Sequence, residues 1–257
     1  MNNTIKTSAP WASGLLAIAL PFGQALAAHS DIEVEDIIGG KINLHLDDAE
    51  FDFATGNAIY EAEFGENVLL PHQTDEPGFA SEDPGPFAPD TYVRYRTHGS
   101  LMFWDGLSWD AADPSVSLHV LGNFFEDSIY TNAGLFGDAT GLVGVTDIDG
   151  GLHSHVEFCV ENQGLVGCPD SPAEIAANTP AIGAYLIEMS LFGTDATGST
   201  VLLGDSDPFF IAFNNGLSEV AFEEGIEALT AVPVPAAVWL FGSGLLGLVG
   251  VARRKIA

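Results

Sequence analysis

The chain has 257 residues, and its 36 acidic and 7 basic side chains give it a formal net charge of -29 at pH 7. Residues 28–233 hold every acidic side chain but only three basic ones, Lys41, Arg94 and Arg96, so this middle segment carries -33. Because nucleic-acid phosphates attract proteins of the opposite charge, this composition excludes nucleic acid as a partner.

Residues 1–27 have the pattern of a secretory signal peptide. Lys6 is their only charged side chain, an apolar run follows it, and Ala25-Leu26-Ala27 provides the small residues that precede a cleavage site. Cleavage after Ala27 fits the pattern best, and cleavage after Ala28 is the alternative. An uncleaved N-terminal anchor fits less well because the apolar run is short for a membrane span. The N-terminal segment therefore predicts export.

The segment that follows alternates between polar and apolar residues with the period of a β-strand. One predicted face carries His29, Asp31, Glu33 and Glu35, and the other carries Ile32 and Val34. Imidazole and carboxylate groups are ligands of zinc, and sequence alone does not rank zinc against copper or nickel. His29 and Asp31 are therefore candidate metal ligands, with a solvated acidic arm as the alternative.

Period-two alternation recurs in the middle of the chain and predicts half-buried antiparallel strands joined by short turns. In two of these strands Ile42, Leu44 and Leu46, and then Val116, Leu118 and Val120, form the apolar face. Further strands are predicted at 57–64, 92–97, 100–104, 154–160, 183–192, 200–203 and 208–213. We predict one all-β domain over residues 28–230, an antiparallel β-sandwich of jelly-roll-like type.

The stretch Pro71–Asp90 contains five prolines and predicts a long loop with no regular element. Its acidic side chains allow contact with an ion, and a solvated loop is the alternative. These side chains are Asp75, Glu76, Glu82, Asp83 and Asp90.

The segment 150–160 is the richest in metal-binding side chains. Strand alternation places Val156, Phe158 and Val160 toward the core and His153, His155, Glu157 and Cys159 on the opposite face. Residues two apart on a strand are about 6.7 Å apart, so two imidazoles can converge on one ion at about 2.0–2.1 Å. We predict a metal site that includes His153, His155 and Glu157. A polar outer face that happens to contain two histidines is the alternative.

Cys159 and Cys168 are the only cysteines in the chain. In an exported domain, two cysteines that close a short loop predict a disulfide, which would remove Cys159 from the metal ligands. Cysteine catalysis is disfavoured because a reactive thiolate needs positive surroundings, which this segment lacks.

One soluble helix is predicted at 218–229, near the end of the domain. Ser218 can act as its N-cap, and Phe222, Ile226 and Leu229 form an apolar stripe. We expect this helix to pack across a sheet edge.

The C-terminal segment 231–257 has three parts. Val232-Pro233-Val234-Pro235-Ala236-Ala237 leads into an uncharged stretch of 17 residues, 236–252, and Arg253-Arg254-Lys255 follows. A helix over this stretch would be roughly 25 Å long, just under the ~30 Å hydrocarbon core of a bilayer. It predicts a transmembrane helix whose basic end stays in the cytoplasm while the acidic domain lies outside.

This C-terminal segment resembles the PEP-CTERM sorting signal of Gram-negative bacteria, in the subtype that reads Val-Pro-x-Pro-Ala-Ala before an apolar span and a basic end. Val234 stands where the Glu of the family name would be. The resemblance implies an exosortase, a membrane-embedded cysteine transpeptidase, as a partner. It also implies delivery across the inner membrane to the cell surface or an extracellular polysaccharide matrix. A simple anchor helix is the alternative.

The central domain resembles a PEP-CTERM family associated with a zinc-uptake repressor. The similarity is spread over short motifs: His29-Ser30-Asp31-Ile32-Glu33, Glu76-Pro77-Gly78-Phe79, Phe103-Trp104-Asp105-Gly106, His153-Ser154-His155-Val156-Glu157-Phe158, Gly183-Ala184-Tyr185-Leu186-Ile187-Glu188 and 206–218. It implies a role in zinc acquisition or storage, with His29, Asp31, His153 and His155 as the leading ligands.

The sequence thus predicts a surface-delivered domain that binds a divalent transition metal, with zinc favoured, and performs no catalysis. One alternative is a structural protein that associates with exopolysaccharide through exposed aromatic residues such as Trp104 and Trp109. Another is a metal enzyme of the cupin type, because His153-x-His155 follows a glycine in a β-rich chain. The usual cupin motif has its Glu four or five positions after the second His, whereas Glu157 follows His155 by two.

Overall fold

A computed structural model of the protein describes residues 31–46, 49–65, 67–162 and 167–231. The predicted signal peptide (1–27), His29 and residues 232–257 lie outside the described residues. Within the described part, the chain is predominantly β, as predicted, and its strands form three sheets. Neither helix in this part has the length and apolar composition needed to cross a membrane.

The smallest sheet has four strands. In spatial order they are β13 (His153–Ser154), β6 (Phe79–Ser81), β1 (Ile32–Ile38) and β2 (Lys41–Leu44). The alternating Ile32 and Val34 of β1 are buried, whereas Glu35 is exposed, because period-two alternation turns successive side chains to opposite faces. The predicted strand after residue 28 is therefore present from Ile32 onward.

The second sheet has five strands. In spatial order they are β11 (Gly134–Gly137), β10 (Asp127–Thr131), β9 (Ser117–Leu121), β14 (Glu157–Glu161) and β5 (Gln73–Thr74). All of its neighbouring strands pair antiparallel, and β9 lies at its centre.

The largest sheet contains eight strands. Its main path runs through β12 (Thr140–Val145), β7 (Tyr92–Trp104), β15 (Gly183–Thr194), β17 (Phe209–Asn215), β4 (Ala58–Glu63) and β3 (Glu50–Phe51). Two short strands branch from it: β8 (Trp109–Ala111) pairs with β7, and β16 (Val201–Leu203) pairs with β15.

Side chains from all three sheets meet in one apolar cluster. Phe158 of the five-stranded sheet contacts Phe213 of the eight-stranded sheet, with ring centroids 4.9 Å apart. The buried phenol of Tyr95 crosses the same interface and donates to the carbonyl of Val120 at 2.9 Å. Aromatic contacts and satisfied polar atoms therefore join these two sheets.

Two helices complete the described part: α1 (Pro172–Ala177) and α2 (Glu219–Thr230). The predicted helix at 218–229 is confirmed as α2, and Ser218 is its N-cap, with its hydroxyl accepting from the backbone N–H of Ala221. Phe222 and Ile226 of α2 are buried in a second apolar cluster, on the face of the eight-stranded sheet that also carries Ile59. This sheet is therefore covered on both faces.

Three ion pairs engage the basic side chains of the described residues. Lys41 lies 3.5 Å from Asp207, Arg94 lies 3.4 Å from Glu126, and Arg96 lies 2.9 Å from Asp205. The remaining carboxylates far outnumber these cations, so the surface stays acidic.

Two sequence predictions about regular structure were wrong. The stretch Pro71–Asp90 contains β5 and β6 and is not wholly a loop, because its prolines fall outside these short strands. The predicted strand 154–160 is divided between β13 and β14, which belong to different sheets.

Pairing direction and strand length also differ from the prediction. The predicted strands 92–97 and 100–104 form the single strand β7, in which Gly99 adopts a positive φ of 69° beside a shift in register. Two pairs, β1 with β6 and β4 with β17, are parallel, although all pairs were predicted to be antiparallel.

Candidate metal centre

Strand register brings three predicted ligands to one place on the four-stranded sheet. Strand β6 lies between β1 and β13, with Phe79 opposite both Ile32 and Ser154. Asp31 immediately precedes Ile32, and His155 immediately follows Ser154, so both lie beside Gly78, the residue before Phe79. Since opposite residues on adjacent strands share a face, both side chains emerge on the side away from the buried Ile32 and Phe79.

The ligand atoms of Asp31, His153 and His155 all lie within 4.8 Å of one another. The Nε2 atoms of the two imidazoles are 3.2 Å apart, and His153 Nε2 is 3.3 Å from Asp31 Oδ2. In a tetrahedral zinc site with bonds of about 2.0–2.1 Å, neighbouring ligand atoms are roughly 3.3 Å apart. These two distances are therefore close to the edges of a zinc coordination tetrahedron.

Hydrogen bonds outside this group orient His155. Its Nδ1 is 2.9 Å from the carbonyl oxygen of Asp75, and because a carbonyl only accepts, Nδ1 carries the hydrogen. In the neutral imidazole, Nε2 then has its lone pair directed toward His153. The amide of Asn123 donates to the backbone carbonyl of His155 at 2.9 Å and to Ser154 Oγ at 3.1 Å. The hydrogen bond from Nδ1 to a backbone carbonyl is typical of the outer partners that fix a metal-binding histidine.

Gly78 allows the three side chains to meet across the middle strand. A β-carbon at this position would lie 2.5 Å from Asp31 Oδ1 and 2.6 Å from His155 Cε1. Its N–H is held by Glu76 Oε2 at 3.1 Å, and its carbonyl accepts from the backbone N–H of Ile32 at 2.8 Å. The site therefore depends on the absence of a side chain directly beneath it.

The group is open to solvent on one side. The His153 side chain is 70% exposed, whereas those of His155 and Asp31 are 31% and 25% exposed. An ion held here has a direct route to water, and three protein ligands leave one tetrahedral position for a further ligand.

The other predicted site residues are placed differently. Glu157 lies outside the group, on β14, beside a cavity of about 310 Å³ that it lines with Asp75 and Leu70. Burial and the charge of Asp75 raise the pKa of Glu157. His29 lies outside the described residues.

The two cysteines form the predicted disulfide, Cys159–Cys168. The prediction that Cys159 shares a solvent-facing surface with the histidines was wrong, because Cys159 is fully buried. It lies on β14 opposite His119 of β9 and Gln73 of β5, so strands flank it on both sides.

The exposed aromatic residues proposed for polysaccharide binding are also placed differently. Trp104 is only 5% exposed and packs beneath α2, against Gly225. Trp109 donates through Nε1 to the carbonyl of Gly225 at 2.7 Å. The premise that Trp104 is an exposed aromatic surface was therefore wrong.

A second polar cluster, which the sequence did not reveal, is centred on the buried His119. Its Nδ1 is 2.9 Å from Asp127 Oδ1, and its Nε2 is 3.4 Å from Ser117 Oγ and 3.8 Å from Glu161 Oε1. Burial lowers the pKa of His119, but the hydrogen bond to Glu161 and the charge of Asp127 outweigh burial, so the net shift is upward.

The order of groups in this cluster resembles a carboxylate–imidazole–hydroxyl chain of the kind used in acyl transfer. Ser117, however, is buried and donates its hydrogen to Glu161, so its hydroxyl is directed away from His119. The sequence pattern that could have indicated this cluster is Ser117-x-His119 followed by Asp127 on the next strand of a hairpin. Because Ser117 is out of reach of a substrate, we interpret the cluster as a polar link between β9, β10 and β14.

The other described histidines have partners outside the candidate metal centre. His72 Nδ1 is 2.9 Å from Asn215 Oδ1, and His98 Nε2 is 2.9 Å from Ser190 Oγ. His45 follows β2 and also has an interaction of its own. None of these three belongs to the group of metal-competent side chains found in the described part of the chain.

Comparisons of the chain with protein-family models, with curated proteins and with solved structures found no match.

Proposed function

We propose that this protein is an exported, surface-delivered domain that binds one divalent transition metal ion, zinc, through Asp31, His153 and His155 and performs no catalysis. The observation that supports it most directly is that His153 Nε2 lies about one tetrahedral edge from both His155 Nε2 and Asp31 Oδ2, with all three ligand atoms within 4.8 Å of one another. Two imidazoles with one carboxylate form a ligand set suited to zinc. The outer hydrogen bonds to His155 add the orientation that such a site needs.

The fourth ligand is either water or His29. His29 precedes Asp31 by two residues, and two residues of chain extend at most roughly 7 Å. Since His153 is mostly exposed, a site completed by water exchanges its ion readily, as expected of a protein that acquires or stores zinc.

We further propose that the N-terminal segment 1–27 directs export and that 231–257 is a PEP-CTERM sorting signal processed by an exosortase. The support is the order of prolines, apolar stretch 236–252 and Arg253-Arg254-Lys255 at the end of the chain. The Cys159–Cys168 disulfide is compatible with an oxidising compartment outside the cytoplasm. In this proposal the membrane holds the domain only until processing, at the envelope or surface of a Gram-negative cell.

The proposed architecture is a β-sandwich of jelly-roll-like type. It is supported by the packing of the five-stranded sheet on one face of the eight-stranded sheet, through Phe158 against Phe213 and Tyr130 against the carbonyl of Glu188. The cupin-type enzyme has less support, because Glu157 lies apart from the histidines. Exopolysaccharide association no longer has Trp104 as an exposed contact.

The metal site is tested by zinc titration of the purified full-length chain after chelation, with bound metal measured directly. We expect one zinc ion per chain at micromolar concentration, and its loss in the double variant His153→Ala with His155→Ala. Asp31→Asn should weaken binding, whereas Glu33→Gln, on the same predicted face of β1, should not. Stoichiometric binding that survives removal of both histidines would show that the site is elsewhere.

A further inference from the structure

A cavity of about 330 Å³ lies between β2 and the turn that joins β3 to β4. Its lining is mixed, with the buried apolar side chains of Ile42, Leu44 and Phe209 beside the polar residues Asn43, Thr55, Asn57 and Asp207. Leu46 and Phe51 also line it, and they are 42% and 45% exposed. A cavity of this size with large half-exposed apolar side chains is typical of a binding groove.

The C-terminal end of the described chain lies close to this groove. The backbone N–H of Phe53, two residues after Phe51, donates to the carbonyl of Leu229 in the last turn of α2 at 3.0 Å. Phe53 is itself 50% exposed. Helix α2 ends at Thr230, and Ala231 has an extended backbone with φ -65° and ψ 119°. The described residues therefore end, at Ala231, in an extended conformation close to the exposed Phe53.

The next four residues are Val232-Pro233-Val234-Pro235, which are apolar and uncharged. Alternating prolines favour the polyproline II conformation, which loses little entropy on binding and is recognised by grooves lined with aromatic side chains. Val234 is the fifth residue after Leu229, a reach of at most roughly 17 Å, and Phe51 is within roughly 7 Å of chain from Phe53. The segment is thus long enough to reach the groove.

We propose that the groove lined by Leu46 and Phe51 holds the chain's own Val232–Pro235 segment. Docking covers the exposed apolar side chains at the edge of the eight-stranded sheet, where β3 is the last strand of the main path. It also buries the proline motif at which the proposed sorting signal begins, so the motif must leave the groove before an enzyme can bind it. This inference does not depend on the proposed metal site.

Cysteine pairs in the full-length chain test the contact, because the described residues contain no free cysteine. Phe51→Cys with Val234→Cys should form an intramolecular disulfide under mild oxidation. Phe136→Cys with Val234→Cys is the matched control, since Phe136 is a 58% exposed phenylalanine on β11. Free thiols in both pairs, or disulfides only between two chains, would overturn the proposal.

A second measurement uses Val234→Cys alone and the rate at which a maleimide alkylates its thiol. Adding Leu46→Asp and Phe51→Asp should raise this rate at least tenfold, toward that of the unfolded chain, whereas adding Phe136→Asp should not. Leu46 and Phe51 are already half-exposed, so we expect these variants to fold, and thermal melting checks this. Equal rates in all three proteins would show that the groove does not hold the segment.

Discussion

Gly78 shapes the candidate metal centre although it is not itself a ligand. It immediately precedes the middle strand β6, between Asp31 and His155, and its backbone is not in the left-handed region that favours glycine. An alanine there is acceptable to the backbone, but its methyl group would occupy the space between the ligands. The requirement for glycine therefore comes from the site and not from the fold.

We predict that Gly78→Ala weakens zinc binding by roughly 10- to 100-fold, the usual effect of disturbing the surroundings of metal ligands. The cause is displacement of Asp31 and His155 by the new methyl group. Gly204→Ala is the matched control, since its added β-carbon would have no neighbour closer than 3.6 Å. Calorimetric titration with zinc compares the three proteins, and unchanged affinity in Gly78→Ala would contradict the geometry described for the site.

At the scale of elements, the sequence predicted strands best where one face is buried and the other is solvated. The alternation around Ile42, the strand at 183–192 and the capped helix after Ser218 are all present. The short strand β6 was missed because five surrounding prolines dominate its local pattern, although Phe79 is fully buried. Local propensity does not reveal a strand of three residues whose stability comes from its partners.

The metal site was predicted only in part for the same reason. Period-two alternation indicated that His153 and His155 share a face. It also indicated that Asp31 shares a face with Glu33 in the first predicted strand. It could not reveal that β6 inserts between these strands, nor that the chain changes sheets after His155 and carries Glu157 away. Pairing between strands that are distant in the sequence determines which candidate ligands meet, and a single sequence does not reveal that pairing.

Glu61, which lies on β4 near Glu223 of α2, should make the stability of the domain depend on pH. Burial, followed by the charges of Glu223, Glu50 and Glu63, raises the pKa of Glu61 from 4.5 to about 7. The folded state then retains a proton that the unfolded state has lost. The contribution of Glu61 to stability is therefore fully present below about pH 4.5 and is lost as the pH rises through about 7.

We predict that Glu61→Gln removes this fall and stabilises the domain at pH 8 by about 1 kcal/mol, after discounting for solvent screening of a half-exposed group. At pH 4 the substitution should have little effect. Glu224→Gln, an exposed carboxylate on α2, is the control. Chemical denaturation at both pH values measures the difference, and equal effects of the two substitutions at pH 8 would contradict the role assigned to Glu61.

For the whole molecule, the dominant property is the charge of -33 over residues 28–233. With three basic side chains, all in ion pairs, most carboxylates of the domain repel one another. The screening length falls from about 10 Å at 0.1 M salt to about 3 Å at 1 M. Added salt therefore weakens the repulsion between surface carboxylates more than it weakens contacts in the core.

We predict a higher melting temperature in 1 M sodium chloride than in dilute buffer at pH 7. The increase should shrink near pH 3.5, where many carboxylates are protonated and there is less repulsion to screen. Differential scanning calorimetry at both pH values measures it. A melting temperature that is independent of salt at pH 7 would show that the carboxylates are too far apart to repel one another strongly.

The scarcity of basic residues has a practical consequence for detecting this protein. Lys41 lies in β2, and Arg94 and Arg96 lie in β7, so each trypsin cleavage point in the described residues is held in a hydrogen-bonded strand. Proteases need a locally unfolded segment, and trypsin-like enzymes should cut the native domain slowly. Even the unfolded chain offers no Lys or Arg between Arg96 and Arg253. A tryptic peptide survey would therefore undercount this protein, whereas a digest that cuts at its numerous acidic residues would reveal it.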